Sequence, residues 1–129
     1  EGAKILLPPL PVTYDPELPG YKAMVAMMGG MGSDHANDNL PKAQAIKDAT
    51  MAHFILQNLE AGQTFIHYNG AYHSNDFEGI YWYLKQLRPE LKILTITTVE
   101  QESMDDLTEE NTGVADYTIC VPVDMTKTY

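Results

Sequence analysis

The sequence contains little cysteine, few basic residues and no long apolar run, and each shortage excludes a class of protein. Its single cysteine, Cys120, excludes an internal disulfide and a cysteine-rich zinc site, so a metal would need His, Tyr, Asp or Glu ligands. Eight Lys and Arg residues against eighteen Asp and Glu residues give a net charge of −10, which repels nucleic-acid phosphates. No apolar run approaches the roughly 18 residues that a membrane span requires.

What is present favours one ordered domain. The chain has 129 residues, of which 44% are hydrophobic, so an ordered core is feasible. It begins Glu1-Gly2-Ala3, without Met and without a basic-then-apolar leader. We therefore expect a part of a longer polypeptide, whose export signal or lipid anchor would precede this start.

Residues 1–40 are predicted to be a connector followed by a loop. The proline-rich run Leu7-Pro8-Pro9-Leu10-Pro11 removes backbone donors and favours an extended chain on a surface. Methionines then recur at helical spacing until a glycine-rich stretch stops the pattern, at Met24, Met27, Met28 and Met31. This pattern predicts a short helix and a mobile loop, before an α/β region over residues 41–129.

Residues 41–60 are predicted to form an amphipathic helix with a carboxylate on its apolar face. The apolar stripe consists of Ala45, Met51, Ala52, Ile55, Leu56 and Leu59. At about 100° per residue, Gln44 and Asp48 fall within this stripe. A buried carboxylate is costly unless it is hydrogen-bonded, paired or close to a metal. Asp48 is therefore either a functional group or a structural acceptor of backbone N–H bonds from a neighbouring loop.

Three β-branched and aromatic runs predict a small, mostly parallel sheet of about three strands with flanking helices. The runs are residues 64–68, 92–98 and 117–121. A helix capped by Asn75 and Glu78 connects the first two runs, so they are predicted to form a right-handed βαβ unit in an α/β fold. Such a sheet has a free edge, which we expect a missing part of the protein or a second copy of the chain to cover.

The turn after the first predicted strand carries the side chains of greatest chemical interest. Ligands of open parallel sheets bind beyond the carboxyl ends of the strands. Gly70 permits a tight or left-handed turn, and His73 follows as a possible metal ligand, general base, helix cap or core histidine. Tyr72 offers a phenolate, which is a recurrent ligand of ferric haem. We therefore predict a binding site at this turn.

The other histidines are weaker candidates. His67 is expected to point inward from its predicted strand, because the flanking residues are β-branched or aromatic. His53 lies opposite the apolar stripe of its helix and is expected to be solvated. The glycine-rich sequence around His35 supports no assignment.

Several short segments together resemble a known family. They are Gln44-Ala45, Asp48, Met51-Ala52, Ile66-His67-Tyr68-Asn69-Gly70-Ala71-Tyr72-His73 and Gly79-Ile80. These segments look like the C-terminal half of the ChaN-like iron-regulated, haem-binding lipoproteins, a branch of the Tiki/TraB/erythromycin-esterase superfamily. The resemblance runs from about Leu10 to Tyr129, so residues 41–129 would be the C-terminal half of a larger α/β domain. The family's first half, with its Gly-Glu-x-His-type motif, is absent.

The resemblance implies a site built from two facing G-x-x-H-type motifs and a helix with an Asp-x-x-Met motif. Gly70 and His73 would be the second of the two motifs, and Asp48 and Met51 the helix motif. Tyr72 and His73 would then be the iron ligands, with Tyr68 and His67 behind them. Haem would be the cofactor, and the missing half or a second copy in a homo-oligomer would complete the site.

The resemblance also implies a role and a location. The protein would bind haem or iron at the bacterial cell envelope, as a periplasmic or surface lipoprotein that takes part in iron uptake. Membrane attachment would depend on a lipid anchor outside this chain. Other branches of the superfamily imply the alternative of a hydrolase that uses a divalent metal ion, with His73 as ligand or base and Asp48 as its orienting carboxylate. A fragment that binds nothing in isolation is the third possibility.

Overall fold

A computed structural model of the chain describes residues 8–29 and 39–126. In these ranges the helices are α1 Pro19–Gly29, α2 Asn39–Asn58 and α3 Ile80–Leu87, and the strands are β1 Ile96–Gln101 and β2 Tyr117–Pro122. Short 3-10 turns occupy Ala71–His73, Asn75–Phe77 and Glu109–Asn111. This mixed architecture confirms the predicted α/β class.

The core forms where α2 packs against α3. It contains Ala49, Ala52, Ile55, Ile80, Tyr83 and Leu84. Small side chains on α2 allow the two helix backbones to approach closely, and the larger residues of α3 fill the space between them. The prediction that Asp48 lies on the buried face of α2 is confirmed, because this side chain is 0% exposed.

The start of α3 differs from the prediction. Asn75 begins a separate 3-10 turn. The helix α3 starts only after Gly79, which has no side chain that could cap it. Asp76 and Phe77 both have a φ of 59°, and this left-handed backbone interrupts the helix. The predicted Asn75–Glu78 cap is wrong, because the Glu78 carboxylate instead accepts the Gly20 N–H at the start of α1, at 2.8 Å.

Two of the three predicted strands are present and pair in parallel. Ile96 lies opposite Tyr117, and the register continues to Gln101 opposite Pro122. Asp116 holds the beginning of the sheet, since its carboxylate accepts the Thr95 backbone N–H at 2.7 Å and the Thr95 hydroxyl at 2.9 Å. The observed β1 begins later than the predicted run, at Ile96, and the Thr95 N–H just before it donates to Asp116 instead of to a strand.

The predicted strand over residues 64–68 is wrong. These residues are exposed and belong to no strand, and β1 pairs only with β2 in the described chain. A β-type sequence becomes a strand only when a neighbour completes its hydrogen-bond ladder, and here none does. The βαβ unit and the inward position of His67 are therefore wrong as well. Gly70, with a φ of −68°, does not use a left-handed conformation.

The N-terminal segment packs onto the helices. Val12 contacts the core cluster, and the Tyr83 hydroxyl donates to the Thr13 carbonyl at 2.6 Å. The short helix predicted from the methionine spacing is α1, whereas the predicted loop and His35 lie outside the described residues. The division of the chain at residue 40 stays a prediction. Within the described ranges, no helix has the length and apolar character to cross a bilayer.

Candidate functional site

Asp48 and His73 form a close pair between α2 and the turn Ala71–His73. The Oδ1 atom of Asp48 lies 2.5 Å from Nδ1 of His73. The turn holds His73 in place, because its backbone N–H donates to the Gly70 carbonyl at 2.9 Å. The contact between Oδ1 and Nδ1 orients the ring, and Nε2 of the ring lies 3.4 Å from the amide Nε2 of Gln44.

Two further side chains surround this pair. The Tyr21 hydroxyl of α1 donates to Oδ2 of Asp48 at 3.3 Å, and the amide Nε2 of Gln44 lies 2.8 Å from Nδ1 of His73. Rotation of the Gln44 amide presents either a donor or an acceptor to the ring. Both carboxylate oxygens of Asp48 thus have side-chain partners. This arrangement differs from the structural alternative, in which backbone N–H groups of a loop would bind Asp48.

Burial determines the electrostatics of the cluster. Loss of hydration raises the pKa of Asp48, while the hydrogen bond and charge of His73, and the hydrogen bond from Tyr21, act in the opposite direction. The pKa of Tyr21 is also raised, mainly by burial and secondly by the negative charge of Asp48. This phenol therefore remains a hydrogen-bond donor at neutral pH. An ionised Asp48 can only accept a hydrogen bond, so the tautomer of His73 that pairs with it carries N–H at Nδ1 and the lone pair at Nε2.

Gly79 makes the close approach of α2 and the turn possible. A Cβ atom at this position would clash with the His73 carbonyl and would lie 3.3 Å from Oδ2 of Asp48. Its φ of 54° is also one that glycine adopts at low cost. Gly79 therefore leaves room for the pair.

The predicted ligand Tyr72 and its neighbour Tyr68 lie on the surface. Tyr72 is 76% exposed and Tyr68 is 90% exposed, whereas the His73 side chain is 22% exposed. Gly70 begins the turn, and an added Cβ there would make only an ordinary contact with the His73 ring, at 3.9 Å. The turn thus presents a phenol to solvent beside a half-buried imidazole.

The predicted site residue Met51 has a place in the core. It is half-buried and packs against the core between α2 and α3. Met51 follows Asp48 by three residues, so the two lie on the same side of α2, about one turn apart. Its predicted contact with a cofactor stays a prediction.

The remaining histidines occupy different surroundings. His67 lies in the exposed segment before the turn, and partial loss of hydration followed by the charge of His73 lowers its pKa. His53 is half-buried on α2 and stacks edge-on against Phe54, with ring centroids 5.3 Å apart. The expectation of a fully solvated His53 is therefore wrong. In the described part of the chain, no three His, Cys, Asp or Glu side chains converge as a metal-binding group.

The sequence predicted no role in the cluster for two of its members, Gln44 and Tyr21. Gln44 was visible as a polar residue four positions before Asp48 on the same helix face, and this spacing was a usable signal. Tyr21 carried no such signal, because 27 residues separate it from Asp48 and only the packing of α1 on α2 brings the two together.

The comparisons with known proteins identify one family. Residues 1–84 match the family described as haem-binding uptake, Tiki superfamily, ChaN. The match covers 84 of the 129 residues and includes α1, α2, the turn with His73 and the beginning of α3. No curated protein and no solved structure matches the chain.

Proposed function

This chain belongs to the ChaN family of haem-binding uptake proteins in the Tiki superfamily, and we propose that it binds haem through His73 and Tyr72. The family match supports haem as the ligand. The observation that carries the choice of residues is the 2.5 Å contact between Asp48 and Nδ1 of His73. Histidines that bind metals in proteins almost always donate their other ring N–H to a carboxylate, a carbonyl or water, which orients the ring and strengthens the ligand.

His73 is suited to hold haem iron. Asp48 engages Nδ1, so Nε2 would bind the iron, and the Gln44 amide, which lies 3.4 Å from Nε2, would have to turn away. Tyr21 restrains Asp48 and Asp48 restrains the ring, so that little conformational entropy is lost when a ligand binds. When bound, haem would supply the iron, and His73 and Tyr72 would be the residues of this chain that hold it.

The exposed residues before His73 suit the face of a porphyrin. Phe65, Ile66, Tyr68 and Tyr72 are all exposed, and they lie on one short segment and the turn that follows it. Large exposed apolar side chains in one place are typical of ligand or protein interaction sites. Tyr72 would bind the iron instead of His73 or together with it. Tyr68 would lie beside the porphyrin, and Gly70 would let the porphyrin approach the backbone closely.

The same exposure supports a partner that completes the site. A flat apolar ligand is normally buried over most of its surface, and the exposed segment and turn cover one side only. We propose that a second copy of the chain, or another part of the same protein, covers the other side. We also propose that the protein captures haem at the cell envelope for iron uptake and that a lipid anchor attaches it there.

Haemin titration tests the ligand assignment. Addition of haemin to the wild-type protein is expected to produce a sharp Soret band, and His73→Ala should shift this band and weaken binding. Tyr72→Phe should change the ferric spectrum without loss of fold, because the phenol is exposed. Resonance Raman or electron paramagnetic resonance spectra of the ferric form then identify the axial ligand.

Two variants serve as matched controls. His53→Ala removes a half-buried histidine on α2, and Tyr117→Phe removes an exposed phenol on β2, away from the turn. Both should leave the Soret band unchanged. Unchanged spectra for His73→Ala and Tyr72→Phe together would refute the proposed ligands.

A further inference from the structure

The side chains of Gln44 and Asp48 reach the His73 ring from successive turns of α2. Residues four positions apart lie on the same face of a helix, so both side chains can meet one ring. Oδ1 of Asp48 lies 2.5 Å from Nδ1, whereas the amide Nε2 of Gln44 lies 2.8 Å from Nδ1 and 3.4 Å from the ring Nε2. Both side chains contact the imidazole, and they differ in how firmly they are held.

The Asp48 carboxylate is fixed in position. Its side chain is fully buried, and its second oxygen, Oδ2, accepts a hydrogen bond from the Tyr21 hydroxyl at 3.3 Å. Movement of Asp48 would leave a buried carboxylate without its partners, which is strongly destabilising. We therefore expect Asp48 to stay on Nδ1 when a ligand binds to the ring.

The Gln44 side chain is held less firmly than Asp48. It is half-buried, and in the described chain its hydrogen-bond contacts are to His73 alone. Its helix neighbours Ala43 and Lys47 are exposed, so a turned Gln44 side chain would reach solvent. Water can then replace the hydrogen bonds of the amide, so the net cost of this movement is small.

The Gln44 amide and a ligand of His73 compete for one lone pair. The tautomer that pairs with an ionised Asp48 has its N–H at Nδ1, so Nε2 is the acceptor that this ring offers. The NH2 group of Gln44 is a hydrogen-bond donor and lies 3.4 Å from Nε2. A metal ion or another electrophile at Nε2 needs the same electrons. The amide must therefore leave before such a ligand can bind.

We propose that Gln44 is a gate on His73. In the closed position, which the structure shows, the amide covers Nε2 of the ring. In the open position, the Gln44 side chain turns to solvent, and Asp48 alone keeps the ring oriented. The apparent affinity of a ligand for Nε2 is then lowered by the fraction of molecules in which the gate is closed. This proposal rests on the proposed function only in taking His73 as the ligand-binding residue.

Modification of the haem-free chain with diethyl pyrocarbonate measures whether the gate is closed. An unprotonated imidazole nitrogen attacks a carbonyl carbon of the reagent and forms an N-carbethoxy bond. The leaving group, ethyl carbonate, takes up a proton and decomposes to ethanol and carbon dioxide. Gln44→Ala should raise the modification rate of His73 roughly two- to tenfold, which is the range that loss of one neutral hydrogen bond permits. Mass spectrometry assigns the modified histidine, and His53 serves as the internal reference.

Two further variants make the modification experiment specific to the Gln44 amide. Gln44→Met keeps a long unbranched side chain but has no amide, so it should also raise the rate at His73. Gln57→Ala is the matched control, because it makes the same substitution at an exposed position of α2, and it should leave the rate unchanged. Amide spectra and thermal unfolding verify that each variant retains the fold.

Haemin binding tests the gate at the proposed site. Gln44→Ala should bind haemin roughly two- to tenfold more tightly than wild type, mainly through faster association. Stopped-flow measurement of the Soret band follows this association. In a His73→Ala background the same substitution should have no effect, because the gated nitrogen is gone.

Three results would overturn the proposal. They are an unchanged modification rate of His73 in Gln44→Ala, equal effects of Gln44→Ala and Gln57→Ala, and weaker haemin binding by a folded Gln44→Ala protein. The last result would make Gln44 a support of the ring. The modification experiment uses no haem, so a failure of haemin to bind through His73 would refute the proposed function alone, and the modification rates would still decide whether Gln44 is a gate.

Discussion

The Nδ1 atom of His73 lies 2.5 Å from the fully buried carboxylate of Asp48, although 25 residues separate the two in sequence. Asp48 belongs to α2 and His73 to a short turn before α3, so the contact depends on how these elements pack. A buried carboxylate destabilises a protein unless it has partners, and His73 and Tyr21 provide them here. The site therefore adjoins the core, because Asp48 precedes the core residue Ala49 on the same helix.

Replacement of Asp48 by Asn should change how stability depends on pH. The raised pKa of Asp48 means that the folded protein binds this proton more tightly than the unfolded chain, whose Asp pKa is about 3.9. Its contribution to stability is present below that ordinary value and is lost as pH rises through the raised pKa. The free energy of unfolding of Asp48→Asn, relative to wild type, should therefore increase across this window and then level off.

Urea denaturation at closely spaced pH values measures this difference. Glu102→Gln, an exposed change in the loop after β1, should give a difference from wild type that varies much less with pH. A difference for Asp48→Asn that falls as pH rises would contradict the assigned direction of the pKa shift.

Gly79→Ala should disrupt the Asp48–His73 pair. The added Cβ would collide with the His73 carbonyl and crowd Oδ2 of Asp48. Gly113→Ala is the matched control, because Gly113 also has a positive φ, of 80°, but has no atom within 4 Å of the added Cβ. The control should lose only about 1–2 kcal/mol, which is the cost of a left-handed conformation.

The loss of unfolding free energy in Gly79→Ala should be larger than in Gly113→Ala, and the variant should also lose its haemin Soret band. Thermal unfolding and haemin titration measure these two effects. Equal destabilisation of both variants would show that close packing at Gly79 contributes nothing.

Ile55→Ala should destabilise the interface between α2 and α3. Ile55 is 7% exposed within the core cluster, so truncation removes apolar contacts and leaves a cavity. Such changes cost about 2–5 kcal/mol. Ile66→Ala removes the same side chain at a position that is 71% exposed, and it should change stability by no more than about 0.5 kcal/mol. Similar denaturation midpoints for the two variants would contradict this location of the core.

Asp116→Asn should weaken the beginning of the sheet with the opposite pH dependence from Asp48. Hydrogen bonds from the backbone N–H and then the hydroxyl of Thr95 lower the pKa of Asp116. Its contribution to stability is present above the ordinary Asp pKa and is lost as pH falls through the lowered value.

Hydrogen exchange at the Tyr117 amide, which donates to the Thr95 carbonyl at 3.1 Å, should be faster in Asp116→Asn at neutral pH. Asp105→Asn in the exposed loop after β1 should leave this exchange unchanged. Equal protection in Asp116→Asn and wild type would show that Asp116 does not hold the strand start.

Sequence patterns located some features well because local chemistry determines them. The apolar stripe of residues 41–60 predicted α2, and the stripe also identified Asp48 as a buried carboxylate. The β-branched runs predicted β1 and β2. The same type of pattern failed at residues 64–68, because a strand requires a pairing partner that local sequence cannot specify.

The sequence by itself determined the α/β class, the acidic charge, the helix that carries Asp48 and the family to which the chain belongs. Only the tertiary structure decided that Asp48 meets Nδ1 of His73, that Tyr21 binds the other carboxylate oxygen, and that Gly79 leaves room for both. The physical reason is how far apart in the sequence the interacting residues lie. Helix periodicity and charge depend on residues a few positions apart, whereas the site depends on contacts between elements far apart in sequence, which form only when the core packs.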